Sequence, residues 1–255
     1  MLIISHWTLQ VANTTLLPCS YPLELVKLLH NKLGLEMGTE KITSVSCSTL
    51  CGLYKTSGDF FIFQPGEIYR LSLAGLQEKA SRAIKAIELK ESIKFLGTQF
   101  NIIEREDKIT SYEKLYTDLI ANEPESPKQF NLQFFTPTAF AQNRTILPLP
   151  VPTLMFRSWL EKWNHFAPIY LGGDELIAYL DNAFFLKQHK IQTRRVYLQQ
   201  SSVSGFVGDL TLKAFNHTDP LLLNIANLLI EYARFSGTGI KTRLGMGQTN
   251  ISSWL

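Results

Sequence analysis

The stretch PLLLNIANLLIEYARFSGTGIKTRLGMGQT, residues 220–249, carries the most decisive signal in this chain. An apolar run behind a proline predicts a helix from Pro220 to Phe235. A loop follows in which Gly237, Gly239, Gly245 and Gly247 surround Lys241 and Arg243, with a short strand at its end. Glycine at that density fits a backbone that takes φ > 0 or approaches a partner closely. Exposed N–H groups flanked by two cations make a phosphate-binding surface. Counting excludes two nucleotide loops. In a P-loop the lysine follows a glycine directly, whereas Ile240 separates Gly239 from Lys241. A dinucleotide fingerprint needs a third glycine where Thr242 stands. The loop is therefore an anion site or a tight helix-to-strand connection with Gly237 ending the helix.

Working outward, TRRVYLQQ (193–200) and GFVGDLTLKAF (205–215) read as antiparallel strands joined around residues 201–204. Before them, TLMFRSWLEKWNHF (153–166) and DELIAYLDNAFFLKQ (174–188) read as helices separated by Gly172-Gly173, and FNLQFFTPTAF (130–140) as a strand. The order is β-α-β-β-α-β with one extra helix. The first half repeats it. A strand at 2–11 is followed by the helix PLELVKLLHNKL (22–33), a strand in KITSVSCSTLC (41–51) paired with FFIF (60–63), and the strand YRLSLAG (69–75). The helix LQEKASRAIKAI (76–87) and the strand FLGTQFNIIERE (95–106) close it, and a short helix YEKLYTDLIA (112–121) leads into the linker-like NEPESPKQ (122–129). The fold class expected is α+β: tandem ferredoxin-like (RRM-like, βαββαβ) domains at 1–123 and 124–255, the second carrying the C-terminal glycine-rich loop.

With 255 residues and 45% hydrophobic content the chain can bury two cores, and a net charge of +3 makes it only mildly basic. The distribution of cations matters more than that sum. The N-terminus lacks a signal-peptide pattern and no apolar run reaches membrane-spanning length. Cys19, Cys47 and Cys51 form no paired metal-ligand spacing. A reduced cytoplasmic protein is expected, with no membrane partner, no metal and no cofactor.

Several segments resemble one family in register. SGTGIKTRLGMGQT, YRLSLAGL, FLGTQFNI, TSYEKLY, FFTPTAF, PLPVPTLMFRSWLEKWNHFAP and SGFVGDLTL are each similar to segments of the CRISPR-associated endoribonucleases of the sixth Cas family. The resemblance implies binding and cleavage of CRISPR repeat RNA, as precursor and mature guide. It implies metal-independent attack by the 2′-hydroxyl, leaving 2′,3′-cyclic phosphate and 5′-hydroxyl ends. Other CRISPR effector subunits are possible partners. The competing readings are a catalytically inactive subunit that binds the repeat and a general single-strand RNA-binding protein.

Members of that family commonly carry a histidine in or just after the first helix, which makes His30 the catalytic candidate. Such chemistry needs a proton acceptor, which histidine supplies near neutrality, and a cation for the phosphate, which Lys41 at the start of the next strand can supply. Read without the family, His30 is a partly buried histidine at the border of the Leu25, Leu28, Leu29, Leu33 stripe, bonded to a backbone carbonyl. His165 is the rival, in aromatic surroundings; His6, His189 and His217 read as surface or turn residues. RNA contacts are expected from Gly237, Gly239, Lys241, Arg243, Gly245 and Gly247, and from Arg194 and Arg195, whose side chains alternate across a strand. Tyr197 shares Arg195's face and can stack on a base. A charged, solvated edge strand is the alternative for the two arginines. Trp159 and Trp163 read as core.

Overall fold

The computed structural model describes residues 1–35, 40–198 and 201–252. The first half runs β1 (Leu2–Gln10), β2 (Thr15–Pro18), α1 (Tyr21–Leu33), β3 (Val45–Cys47), β4 (Cys51–Gly52), β5 (Lys55–Ser57), β6 (Phe60–Phe63), β7 (Tyr69–Gly75), α2 (Glu78–Ala86), β8 (Ser92–Phe95) and β9 (Thr98–Thr110). A short α3 (Tyr112–Tyr116) passes into a π-type turn (Thr117–Ala121). The second half runs β10 (Gln129–Thr138), β11 (Phe140–Gln142), β12 (Thr145–Leu147), α4 (Pro152–Phe166), α5 (Asp174–Ala183), β13 (Phe184–Tyr197), β14 (Ser202–Ala214), α6 (Pro220–Ser236), a 3-10 turn (Thr242–Leu244) and β15 (Thr249–Ile251).

Two sheets carry the structure, ordered β3-β7-β1-β9-β8, with β4 also on β7, and β13-β14-β10-β15. In each, the first strand of the unit lies between its third and fourth, and the second is outside the third. That order, with every pair antiparallel, is the ferredoxin-like arrangement expected. Alternation sets the faces: Ile3, Trp7 and Leu9 of β1 pack with α1 and α2 residues, whereas Leu2 and Ile4 turn the other way. In β10, Phe130, Leu132 and Phe134 point into the second core.

FFIF pairs with β2 and β5 rather than with the 41–51 stretch, and three elements differ in extent or kind from the sequence reading. DELIAYLDNAFFLKQ divides at Ala183, because Phe184 and Phe185 pair with Ala214 and Lys213 of β14 and Phe184 packs on Phe156, ring centroids 5.2 Å apart. An apolar run of this length satisfies either a helix or a strand, and pairing decides. FLGTQFNIIERE is the turn and second arm of a hairpin: Leu96 and Gly97 take positive φ between β8 and β9, and β9 continues to Thr110. The strand expected over 41–51 shrinks to β3 and β4, leaving Lys41 outside it.

The second core crosses between the halves. Leu2, Ile4, Ala74 and Leu76 of the first half join Leu228, Leu229, Ile230 and Tyr232 of α6 in one buried cluster. The Tyr112 hydroxyl donates to the Leu76 carbonyl at 2.8 Å and lies 3.3 Å from the Tyr232 hydroxyl. No helix among the described residues is long and apolar enough to cross a membrane.

Because α6 is shared, its core should be felt by both halves. Leu229, fully buried, should cost about 2–5 kcal/mol when replaced by alanine. Thermal unfolding of Leu229→Ala should remain one transition at lower Tm; loss of the second half alone would show the cores to be independent.

Candidate active site

His30 sits in the last turn of α1, which starts with Pro22 in its first turn and stops at Gly34 in the left-handed conformation. It is not at the edge of the buried stripe. Val26 is buried and Leu28 only partly so, which rotates the stripe toward residue 30, and His30 is 4% exposed. Neither ring nitrogen makes a hydrogen bond of standard geometry among the described residues, although the ring has a weaker contact with the Leu35 backbone carbonyl. The expectation of a histidine bonded to a carbonyl is met only by that weak contact, and a buried polar group so poorly satisfied needs a further explanation. The ring lines a cavity of about 360 Å³ together with Arg243, Lys79, Glu40, Thr43 and Gln77. Burial first, and then the Arg243 cation, hold the His30 pKa below its usual 6.5, with the Leu35 backbone opposing. The imidazole is neutral at pH 7.

Arg243 reaches His30 because the glycine loop docks on the first sheet. The Ser46 hydroxyl donates to the Phe235 carbonyl at 2.8 Å, and the Cys47 thiol to the Arg243 carbonyl at 2.9 Å. Gly245, at φ 90°, lies so close that a Cβ there would sit 2.7 Å from Thr49 Cγ2. At Gly239, φ 76°, a Cβ would land on the Ala139 carbonyl oxygen. The four loop glycines thus serve close packing, and Gly237 does end α6.

The expected surface of free amides needs correction. The N–H groups of Gly237, Thr238, Gly239, Ile240 and Gly247 donate to Ala233, Gly247, Ser158, Ala139 and Pro137 respectively, and Gly237, Gly245 and Gly247 are buried. What the loop offers a ligand is the exposed Lys241 and the half-buried Arg243.

Lys41 is exposed and lines a neighbouring cavity of about 550 Å³ with Lys241 and Arg157. The two cavities share Glu40, Thr43 and Arg243, so Lys41 is beside the His30 cavity rather than in it. Residues 36–39 of the segment joining them lie outside the described residues, as do the last two of TRRVYLQQ. Arg194 and Arg195 are elsewhere. Both are exposed on β13, an edge strand, and line a cleft of about 880 Å³ with Tyr54, Phe135 and Tyr197. The Arg194 guanidinium faces the Tyr54 hydroxyl across that cleft. The arginines share no lining residue with the His30 cavity.

The remaining histidines divide differently from expectation. His165 is exposed, edge-on to Phe166. His189 and His217 are exposed, but His6 is half-buried, 2.7 Å from the Ser72 hydroxyl, and burial with Arg70 and Lys108 lowers its pKa to about 4. Trp159 and Trp163 are fully buried.

Two lysines escaped the sequence reading. Lys79 shares the His30 cavity and had no local signal, since α2 is rich in such residues. Lys162 donates to the carbonyls of Ser236, Gly237 and Gly239 at 3.2, 3.0 and 3.3 Å, and burial pushes its pKa down to about 7. Its signal was present: position 162 falls one turn from Ser158 and Trp159, on the face of α4 turned toward the core.

Residues 132–249 match the family described as "CRISPR-associated endoribonuclease Cas6". A protein of that name from Mycobacterium tuberculosis is 32% identical over 132 residues, 50% of this chain and 40% of the relative. One from Streptococcus thermophilus is 26% identical over 129 residues, 50% of this chain and 52% of the relative. The matches thus span about half the length of these relatives. The solved structure of a Thermus thermophilus Cas6 superposes with TM-score 0.72 at 22% identity, over 99% of this chain and 98% of that one, a likeness of fold.

The geometry predicts that His30, followed by NMR in the free protein, titrates with a midpoint below 6.5. Arg243→Ala should move that midpoint upward, because a like charge beside the imidazolium is removed. A midpoint that stays put would show that Arg243 does not act on the ring.

Proposed function

We propose that this chain is a member of the Cas6 family, an endoribonuclease that binds CRISPR repeat RNA and cuts it in the precursor transcript. The observation that carries this reading is the buried imidazole of His30, whose ring nitrogens make no hydrogen bond of standard geometry among the described residues and which shares a cavity with Arg243. A neutral ring can accept the proton of the RNA 2′-hydroxyl. The 2′-O–H bond breaks as the 2′-O–P bond forms and the ring holds that proton; the P–O5′ bond then breaks and the 5′-oxygen takes a proton from water or from the imidazolium, which returns the ring to its neutral form. The ends left are a 2′,3′-cyclic phosphate and a 5′-hydroxyl. Arg243 and Lys79 face the cavity where negative charge grows on the phosphoryl oxygens, so their attraction is strongest in the transition state. No step needs a metal ion. Lys41 and Lys241 hold flanking phosphates at the adjoining cavity. The units 1–123 and 124–255 form the walls of the larger cleft, where Arg194, Arg195, Tyr54 and Tyr197 suit a single strand that offers phosphates and base faces.

His30→Ala should slow single-turnover cleavage of the cognate repeat by roughly 10²-fold or more and leave affinity within a few-fold, the pattern of an interaction made in the transition state. Cleavage should persist in EDTA and give cyclic-phosphate ends. A folded His30→Ala protein that cuts normally would remove His30 from the chemistry; a wild-type protein that binds the repeat without cutting it would support the inactive-subunit reading.

Replacing Lys241 and Arg243 with alanine should weaken repeat binding and reduce the slope of log affinity against log salt by about 0.7 per lost phosphate contact. An unchanged slope would mean that neither cation meets a phosphate.

A further inference from the structure

Lys162 is an unusual lysine: its partners are three main-chain carbonyls rather than a carboxylate. They belong to Ser236, Gly237 and Gly239, at the C-terminal end of α6 and the start of the glycine loop. Carbonyls there lack intrahelical donors and carry the negative end of the helix dipole. An ammonium has three donors for three acceptors. The same face of α4 supplies two more ties to the loop, Ser158 Oγ accepting from the Gly239 N–H at 2.8 Å and Trp159 Nε1–H donating to Thr238 Oγ1 at 2.8 Å. Three residues within little more than one turn of helix therefore grip Ser236–Gly239. The far part of the loop, four residues past Gly239, is where Arg243 meets the His30 cavity.

We propose that Lys162 is a positioning residue for this site: by holding the first turn of the glycine loop from α4, it keeps Arg243 against His30. The role rests on the reading of His30 and Arg243 as the reacting pair, but its first consequence can be measured without RNA. Lys162 lines the neighbouring cavity rather than that of His30, whereas Arg243 lines both, so the influence of Lys162 on the ring runs through Arg243.

The test is the NMR titration of His30 in the full chain, its signal identified by its loss in His30→Gln, followed by single-turnover cleavage and affinity for the repeat. In Lys162→Met the His30 midpoint should rise toward 6.5, in the same direction as in Arg243→Ala. Cleavage should slow by about 10-fold or more with affinity within a few-fold. Lys162→Arg, which keeps the charge and the donors, should restore both. A folded Lys162→Met protein whose His30 titrates as in the wild type would overturn the proposal. Should the methionine variant fail to fold, Lys162→Gln takes its place, and the same two results decide. A His30 shift in a protein that never cleaves, wild type included, would uphold the positioning role and remove the endoribonuclease reading instead.

Discussion

Two hydrogen bonds that reach across most of the chain hold the last loop on the first sheet, from Ser46 to the Phe235 carbonyl and from Cys47 to the Arg243 carbonyl. Each is modest in net worth, about 1 kcal/mol, yet breaking one leaves a buried group unsatisfied at a cost of about 1–3 kcal/mol. They act with the apolar cluster that joins Leu2, Ile4, Ala74 and Leu76 to α6. The core brings α6 to the first half; the hydrogen bonds fix where the chain goes when the helix ends. Everything proposed for the site follows from that exit path, because Arg243 has no reason to be near His30 in the sequence, where 212 positions intervene.

The glycines take their meaning from the same constraint. A side chain at Gly239 would strike the Ala139 carbonyl, and one at Gly245 would crowd Thr49. Small residues let the loop lie between the two halves, and most of its amides are spent on that packing. Charge for a ligand comes from side chains. Arg243 is placed by the loop while the rest of the loop is placed by α4, and His30 is left buried with no hydrogen bond of standard geometry among the described residues. A group kept in that condition favours an incoming hydroxyl as its partner, and the depressed pKa keeps the ring in the form that can accept a proton.

Much of this architecture was legible in the residues. Periodicity located β1, α1, β7, α4 and α6, and the doubled β-α-β-β-α-β order predicted both sheet topologies. The misplaced boundary at Ala183 fell in an apolar run that either structure accepts, and only pairing with β14 resolves it. His30 was legible as a candidate, but its burial was not, since that depended on whether Val26 or Leu28 faced the core. The union of His30 with Arg243 could not be read at all: it is a contact between halves, set by tertiary docking. Lys79 was hidden for the same reason, and Lys162 showed its core-facing position but not what it reaches. A lysine's role depends on what its long side chain reaches, and here the targets are a cavity and a set of carbonyls on other elements.

The central claim is that His30 and Arg243 act as one unit assembled by the docked loop. A double-mutant cycle measures this most directly, with single-turnover cleavage of the repeat by His30→Ala, Arg243→Ala and the double variant, all at saturating protein and with folding verified. Groups that work together in one transition state lose little more when both are gone than when one is. The double variant should therefore cleave within a few-fold of the slower single variant. A double variant slowed by the full product of the two single effects would contradict the account, showing that the two residues contribute independently.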